Sequence, residues 1–148
     1  MAASDLVILL RGINVGGHKR MKMAELRELL QEAGFTDVRT LLQSGNVVAG
    51  SELGEQAATA AVEEAIRDRL GFDVEVVVRT GAELEAIVAA DPFGDEATDP
   101  KRYVVLFLTR PPDADALQAI REKDFAPEAF RGDIAREEMM VATRLLES

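Results

Sequence analysis

Leu6-Val7-Ile8-Leu9-Leu10-Arg11-Gly12-Ile13-Asn14-Val15-Gly16-Gly17, residues 6–17, is the stretch from which the rest of the chain is best read. Five consecutive apolar residues followed at once by glycines describe a buried strand that ends in a tight loop. Downstream, Met23, Leu26, Leu29, Leu30 and Ala33 recur at helical spacing, and Gly34-Phe35 supplies a helix stop with a hydrophobic clasp. Val38 to Leu42 turns β-like, Ser44-Gly45-Asn46 offers turn residues, and Val47-Val48 resumes an apolar strand, which predicts a hairpin. A second helix presents Ala58, Ala61, Val62, Ala65, Ile66 and Leu70 on one face. Glu63 and Arg67 are expected to pair one turn apart on it, and it stops at Gly71-Phe72 before a strand at Val74 to Val78.

The resulting order is βαββαβ, and both helices close with the same phrase, Ala33-Gly34-Phe35 and Leu70-Gly71-Phe72, ahead of a Val-rich strand. That is the order of a ferredoxin-like α+β subdomain over residues 1–80. Thr80 and Glu83 form a T-x-x-E capping box for a third helix through Leu84, Ile87 and Val88, which must stop before Pro92. Asp91 to Pro100 reads as a loop between subdomains. Tyr103 to Leu108 is a strand, Pro111-Pro112 breaks it, and Asp113 or Asp115 caps a helix carrying Leu117 and Ile120. Beyond Phe125, the segments at Ile134, Met139-Met140-Val141 and Leu145-Leu146 fit a hairpin or a short helix equally well. Residues 81–148 are thus expected to hold a linker helix and a second, shortened or divergent ferredoxin-like subdomain.

The 148-residue chain is 47% hydrophobic and 30% charged, which excludes a disordered or collagen-like protein. Its apolar runs fall far short of the ~20 residues that a bilayer requires, and no basic flank precedes a signal-like core, so a cytoplasmic protein is expected. With no Cys there is no disulfide framework, thiolate nucleophile or zinc ribbon. A net charge of −10 makes duplex nucleic acid an unfavourable partner. The excess of acid lies downstream of residue 40, because Arg11, Lys19, Arg20, Lys22, Arg27 and Arg39 outnumber the acidic residues before it. A locally basic segment on an acidic body suits a small anion better than a duplex.

The loop from Arg11 to Arg20 lies between a strand and a helix, where backbone N–H groups and a helix N-terminus converge on one anion. Its likeness to a P-loop is superficial: Lys19 comes one residue late and Arg20 stands where a magnesium-binding Ser or Thr belongs. The competing reading is that the glycines permit a turn and Lys19 to Lys22 is a solvated helix start. Gln43-Ser44-Gly45-Asn46 carries groups able to hydrogen-bond a ligand or Asn14, and is equally what a hairpin turn requires. His18 is the only His, so a His-based metal cage is excluded and a Ser-His-Asp triad would have to join it to Ser44. Asp91, Asp95, Glu96 and Asp99 match no calcium loop and fit a solvated acidic segment. The first four strands carry no aromatic residue on which a base could stack.

Arg11-Gly12-Ile13-Asn14-Val15-Gly16-Gly17, followed by Met23-Ala24-Glu25-Leu26 and Gln43-Ser44-Gly45-Asn46-Val47-Val48, resembles the bacterial family catalogued as domain of unknown function 1697. The likeness runs to about residue 110. It implies two ferredoxin-like α+β subdomains and brings no reaction or catalytic residue. Family members tend to close with a Thr-Arg-Asn-Trp-Asn-Thr segment, whereas this chain has Ala142-Thr143-Arg144-Leu145-Leu146 and no Trp.

Three functions are therefore weighed. The first is a small-anion module, of phosphate or nucleotide type. There the loop from Gly12 to Lys19 and the turn of Ser44, Gly45 and Asn46 form two walls, with Gly12, Gly16 and Gly17 as backbone donors, Asn14 and Ser44 as directional hydrogen-bonding groups, Arg11 or Lys19 as the charge, and no metal or cofactor. The second is a structural role in which a sheet face or edge strand pairs with a second copy as a homodimer. The third is a phosphoryl or acyl transfer enzyme with His18 as general base.

Overall fold

The computed structural model describes residues 4–91, 94, 101, 103–108, 113–123, 128–133 and 139–144. The chain divides into two compact units, residues 1–88 and 89–148.

In the first unit β1 (Ser4–Leu10) lies inside a four-stranded sheet of order β2-β3-β1-β4, with β2 (Thr36–Leu41), β3 (Asn46–Ser51) and β4 (Val76–Thr80). Every pairing is antiparallel. Strand alternation puts Leu6, Ile8 and Leu10 into the core beside Val47, Ala49, Val76 and Val78. The helices α1 (Met23–Glu32) and α2 (Glu55–Leu70) complete that core with Leu26, Leu29 and Leu30 from one and Ala58, Val62 and Ile66 from the other. Ala61, Ala65 and Leu70 pack against it partly buried. Ala33, expected on the inner stripe, is instead the exposed C-cap of α1.

Both helix stops form as the glycines require. Gly34, at φ +102°, donates to Gln31 O at 3.1 Å while the Phe35 N–H donates to Leu30 O at 3.0 Å, the paired bonds of a Schellman motif. Gly71 takes the left-handed conformation after α2 and donates to Arg67 O. The expected Glu63–Arg67 pair does not form: Arg67 Nε donates to Asp73 Oδ1 at 2.7 Å. A same-helix pair is worth only a few tenths of a kcal/mol, so a carboxylate just past the glycine stop outcompetes it.

The capping box appears intact. Thr80 N–H donates to Glu83 Oε1 at 3.3 Å and Glu83 N–H to Thr80 Oγ1 at 3.1 Å, opening α3 (Gly81–Ala90). Ile87 is buried, but Val88, expected inside, is 72% exposed. Edge strand β2 carries a register shift between Thr36 and Arg39, with Asp37 at φ +49°, which makes it a poor template for a further strand.

The second unit contains β5 (Tyr103–Phe107), α4 (Ala114–Glu122), β6 (Glu128–Asp133) and β7 (Met139–Arg144), its antiparallel sheet running β5-β7-β6. Met139-Met140-Val141 therefore belongs to a hairpin. Ile134 and Leu145-Leu146 lie outside the described residues, as do Asp95, Glu96 and Asp99 of the acidic loop.

Ile66 is wholly buried in the core, so Ile66→Ala should lower the unfolding free energy by about 2–5 kcal/mol in urea titration. Val15→Ala, at a side chain 65% exposed, should stay within about 0.5 kcal/mol of the parent.

Candidate functional site

The glycine loop leaving β1 folds into a miniature hairpin. Gly16 and Gly17 have φ of +61° and +77°, the two positive values of a type I′ turn, and the His18 N–H closes it on Val15 O at 3.1 Å. One step outward, Asn14 N–H donates to Lys19 O at 3.2 Å, and both residues are themselves left-handed. Asn tolerates that backbone far better than most side chains.

Asn14 then holds the loop to its neighbours. Its Oδ1 accepts from Met21 N–H at 2.8 Å, while Nδ2 donates to Met21 O at 2.9 Å and to Gln43 O at 2.8 Å. The amide thus pairs with Met21 as a strand backbone would and clamps the 42–45 turn with its remaining hydrogen. Gly45 completes the junction. The Leu10 N–H donates to Gly45 O at 3.0 Å, and a Cβ on Gly45, at φ +86°, would stand 2.8 Å from both Ile13 Cδ1 and Leu10 Cβ.

The two stretches singled out by sequence are therefore neighbours, though their polar groups serve different ends. Ser44 Oγ accepts from Asn46 Nδ2 at 3.1 Å, within the turn. Arg11 and Lys19 reach the segment before β4. Arg11 Nη1 lies 3.1 Å from Glu75 Oε2, with both side chains exposed, and Lys19 Nζ donates to Asp73 O at 2.7 Å. The Arg67 hydrogen bond, reinforced by its charge, holds the Asp73 carboxyl below its ordinary range. Gly12 is exposed at φ +71°. His18 is exposed, and among the described residues no hydrogen bond to its ring is seen.

Asn14 also borders an open cavity of about 530 Å³ where the loop enters α1. Asn14, Gly17, Met21, Met23 and Gln43 line it together with the charged residues Arg20, Lys22 and Glu25. A Cβ on Gly17 would be 3.6 Å from Arg20 Nη2, so this guanidinium lies over the turn. Neither Arg20 nor Lys22 makes an ion pair among the described residues. Lys22 is also the N-cap of α1, and no side chain caps that end. The first N–H groups of a helix have no partner within it, so this start faces the cavity unsatisfied by side chains.

Arg20, Lys22, Met21, Met23 and Glu25 were not among the sequence-derived ligand candidates, whereas Gln43 belongs to the turn stretch that was. One signal pointed to them: the position before the apolar helical stripe is Lys22, where a capping Ser, Thr, Asp, Asn or Gly is normally found. Among the described residues no cluster of three or more potential metal-ligating side chains forms. No helix there is long and apolar enough to cross a membrane.

The family model described as "Protein of unknown function (DUF1697)" matches residues 3–135. No curated protein matches the chain. Among solved structures, the conserved bacterial protein SP0830 from Streptococcus pneumoniae is similar at TM-score 0.80 and 24% identity, covering 99% of this chain and 79% of that one. At that identity the likeness speaks to the fold alone, a mixed α+β architecture.

Removing the amide should loosen the loop. Asn14→Ala is expected to cost about 2–4 kcal/mol in chemical unfolding, from three hydrogen bonds at about 1 kcal/mol each plus a left-handed backbone that Ala disfavours. Asn14→Gly keeps the backbone and should recover roughly 1 kcal/mol of that loss. Because Asp73 titrates below its unfolded value, its pairing stabilises the fold above the ordinary carboxylate range and is lost as pH falls through it. Arg67→Ala should therefore lower stability slightly at pH 7 and by progressively less as the pH falls through the acidic range, measured by thermal unfolding at several pH values.

Proposed function

Since the chain belongs to the DUF1697 family of proteins of unknown function, kinship brings no reaction to it, and we propose that it is a binding module for a small phosphate-type anion. The observation that carries this reading is the meeting, around one cavity, of an unpaired guanidinium, an unpaired ammonium and a helix start without a side-chain cap. Each favours negative charge by a separate route. Arg20 offers a planar fork of donors, Lys22 a mobile point charge, and the α1 start a partial positive charge with free N–H groups. A volume of about 530 Å³ lies within the usual range for small-molecule sites.

In this reading Arg20 and Lys22 meet the anion, and Asn14 shapes the loop that presents them. Gly16 and Gly17 let the turn close, and Gly17 leaves room for the Arg20 guanidinium above it. Arg11 and Lys19 brace the loop against residues 73–75, and Ser44, Gly45 and Asn46 build the turn whose Gln43 forms part of the cavity wall. The scaffold is read as ferredoxin-like: a βαββαβ unit with strand order β2-β3-β1-β4, followed by a second unit whose β5-α4-β6-β7 order and β5-β7-β6 sheet match the first half of the same arrangement.

A thermal unfolding screen against inorganic phosphate, sugar phosphates and nucleotides tests the proposal. At a hundred times its dissociation constant a ligand adds ~2.7 kcal/mol, several degrees for a chain of this size at roughly 2–4 °C per kcal/mol. The Arg20→Ala/Lys22→Ala double variant should melt close to the parent without ligand, because both side chains are exposed, and should lose the shift. Absence of a shift with every anion, or a shift that survives in the double variant, would overturn this assignment.

A further inference from the structure

Resting on the anion-site reading above, we infer that the ligand is not a bare anion but carries a cationic or hydrogen-bond-donating group beside its anionic one, and that Glu25 recognises it. Glu25 lines the same cavity as Arg20 and Lys22, is half-buried, and makes no hydrogen bond or ion pair among the described residues. Arg69 feels the Glu25 charge, but its guanidinium donates to Glu32 at 2.8 Å and to Glu28 at 3.2 Å. The first turn of a helix is a favourable place for a carboxylate, which accounts for Glu25 being tolerated there. It does not account for an acidic residue lining a cavity whose other charged residues are both basic. Against a simple anion Glu25 is a liability, since it repels the ligand and cancels part of the attraction of Arg20 and Lys22.

The arrangement becomes complementary when the occupant has two poles. An anionic head meets Arg20, Lys22 and the α1 start, while an ammonium or amide donor a short distance away meets the Glu25 carboxylate as a charge-assisted hydrogen bond. The cavity charge, two positive and one negative, then matches a zwitterionic or monoanionic compound. Phosphorylated amines are the simplest members of that class. A plain phosphate ester is selected against by the carboxylate, and a plain amine by the two cations, so one negative residue confers specificity in both directions.

Two probes of nearly equal size separate the outcomes: ethyl phosphate and O-phosphoethanolamine, titrated calorimetrically into the parent protein and into Glu25→Gln. The parent should bind O-phosphoethanolamine up to about fivefold more tightly than ethyl phosphate, the range of a solvent-accessible ion pair. In Glu25→Gln, which keeps shape and removes charge, the preference should vanish or reverse, because ethyl phosphate gains affinity as O-phosphoethanolamine loses it. A merely structural role for Glu25 would weaken both ligands together. Equal binding of the two probes by the parent, or a preference that survives in Glu25→Gln, would overturn this inference and leave the anion site standing. No saturable binding of either probe would overturn this inference, and the anion-site reading falls with it only where the wider anion screen is silent too.

Discussion

The side-chain amide of Asn14 is the contact on which the candidate site depends. A loop that leaves a central strand through five left-handed residues has little regular backbone bonding of its own: one turn bond at Val15–His18 and one rung at Asn14–Lys19. Asn14 supplies what is missing by offering Met21 both an acceptor and a donor, as a neighbouring strand would, and by giving its last hydrogen to Gln43. Only a primary amide can do all three from one side chain: a carboxylate lacks the donors and a hydroxyl lacks the reach. The same residue tolerates the left-handed backbone that starts the hairpin. One position therefore fixes where Arg20 and Lys22 emerge, where α1 begins and how the 42–45 turn sits beside them.

Because that amide is fully engaged with backbone, the proposed anion site rests on the groups it positions. The division follows from the hairpin. Lys19, in a left-handed conformation just past the turn, turns toward Asp73, while Arg20 folds back over Gly17. Adjacent basic residues in the sequence thus acquire separate duties. Lys19 and Arg11 brace the loop against the segment entering β4, and Arg20 and Lys22 face open space.

Much of this was legible beforehand, for reasons that differ by element. Helix stops at Gly34 and Gly71 and the Thr80–Glu83 box are local chemistry: a left-handed glycine or a reciprocal cap needs no information beyond a few residues. The strand and helix order followed from apolar spacing, and a bond between Asn14 and the 43–46 stretch was one of the alternatives the sequence offered, through that stretch's amide and hydroxyl groups, whereas the bond that forms goes to the Gln43 backbone carbonyl. The choice among Arg11, Lys19, Arg20 and Lys22 was not legible, because it depends on the register of a two-residue turn that spacing does not reveal. Nor was the partner of Arg67. Helical periodicity proposes Glu63, but the chain reverses at Gly71 and brings Asp73 back within 2.7 Å. Val88 illustrates the same limit: a periodic stripe says which residues share a face, not whether that face is covered.

An acidic protein with a basic cavity is a physical arrangement and not a contradiction. At physiological ionic strength charges are screened over ~8 Å, so most of the −10 net charge is weakly felt inside a concave site. Arg20, Lys22, Glu25 and the α1 start dominate locally. The body's charge acts earlier, on encounter: it slows the approach of strongly anionic molecules and polyanions and does little to a compound whose charges nearly balance. Long-range repulsion and the Glu25 carboxylate therefore discriminate in the same direction. In the proposed site both disfavour highly charged phosphates and nucleic-acid backbones, which is why that reading selects a compact ligand of mixed charge.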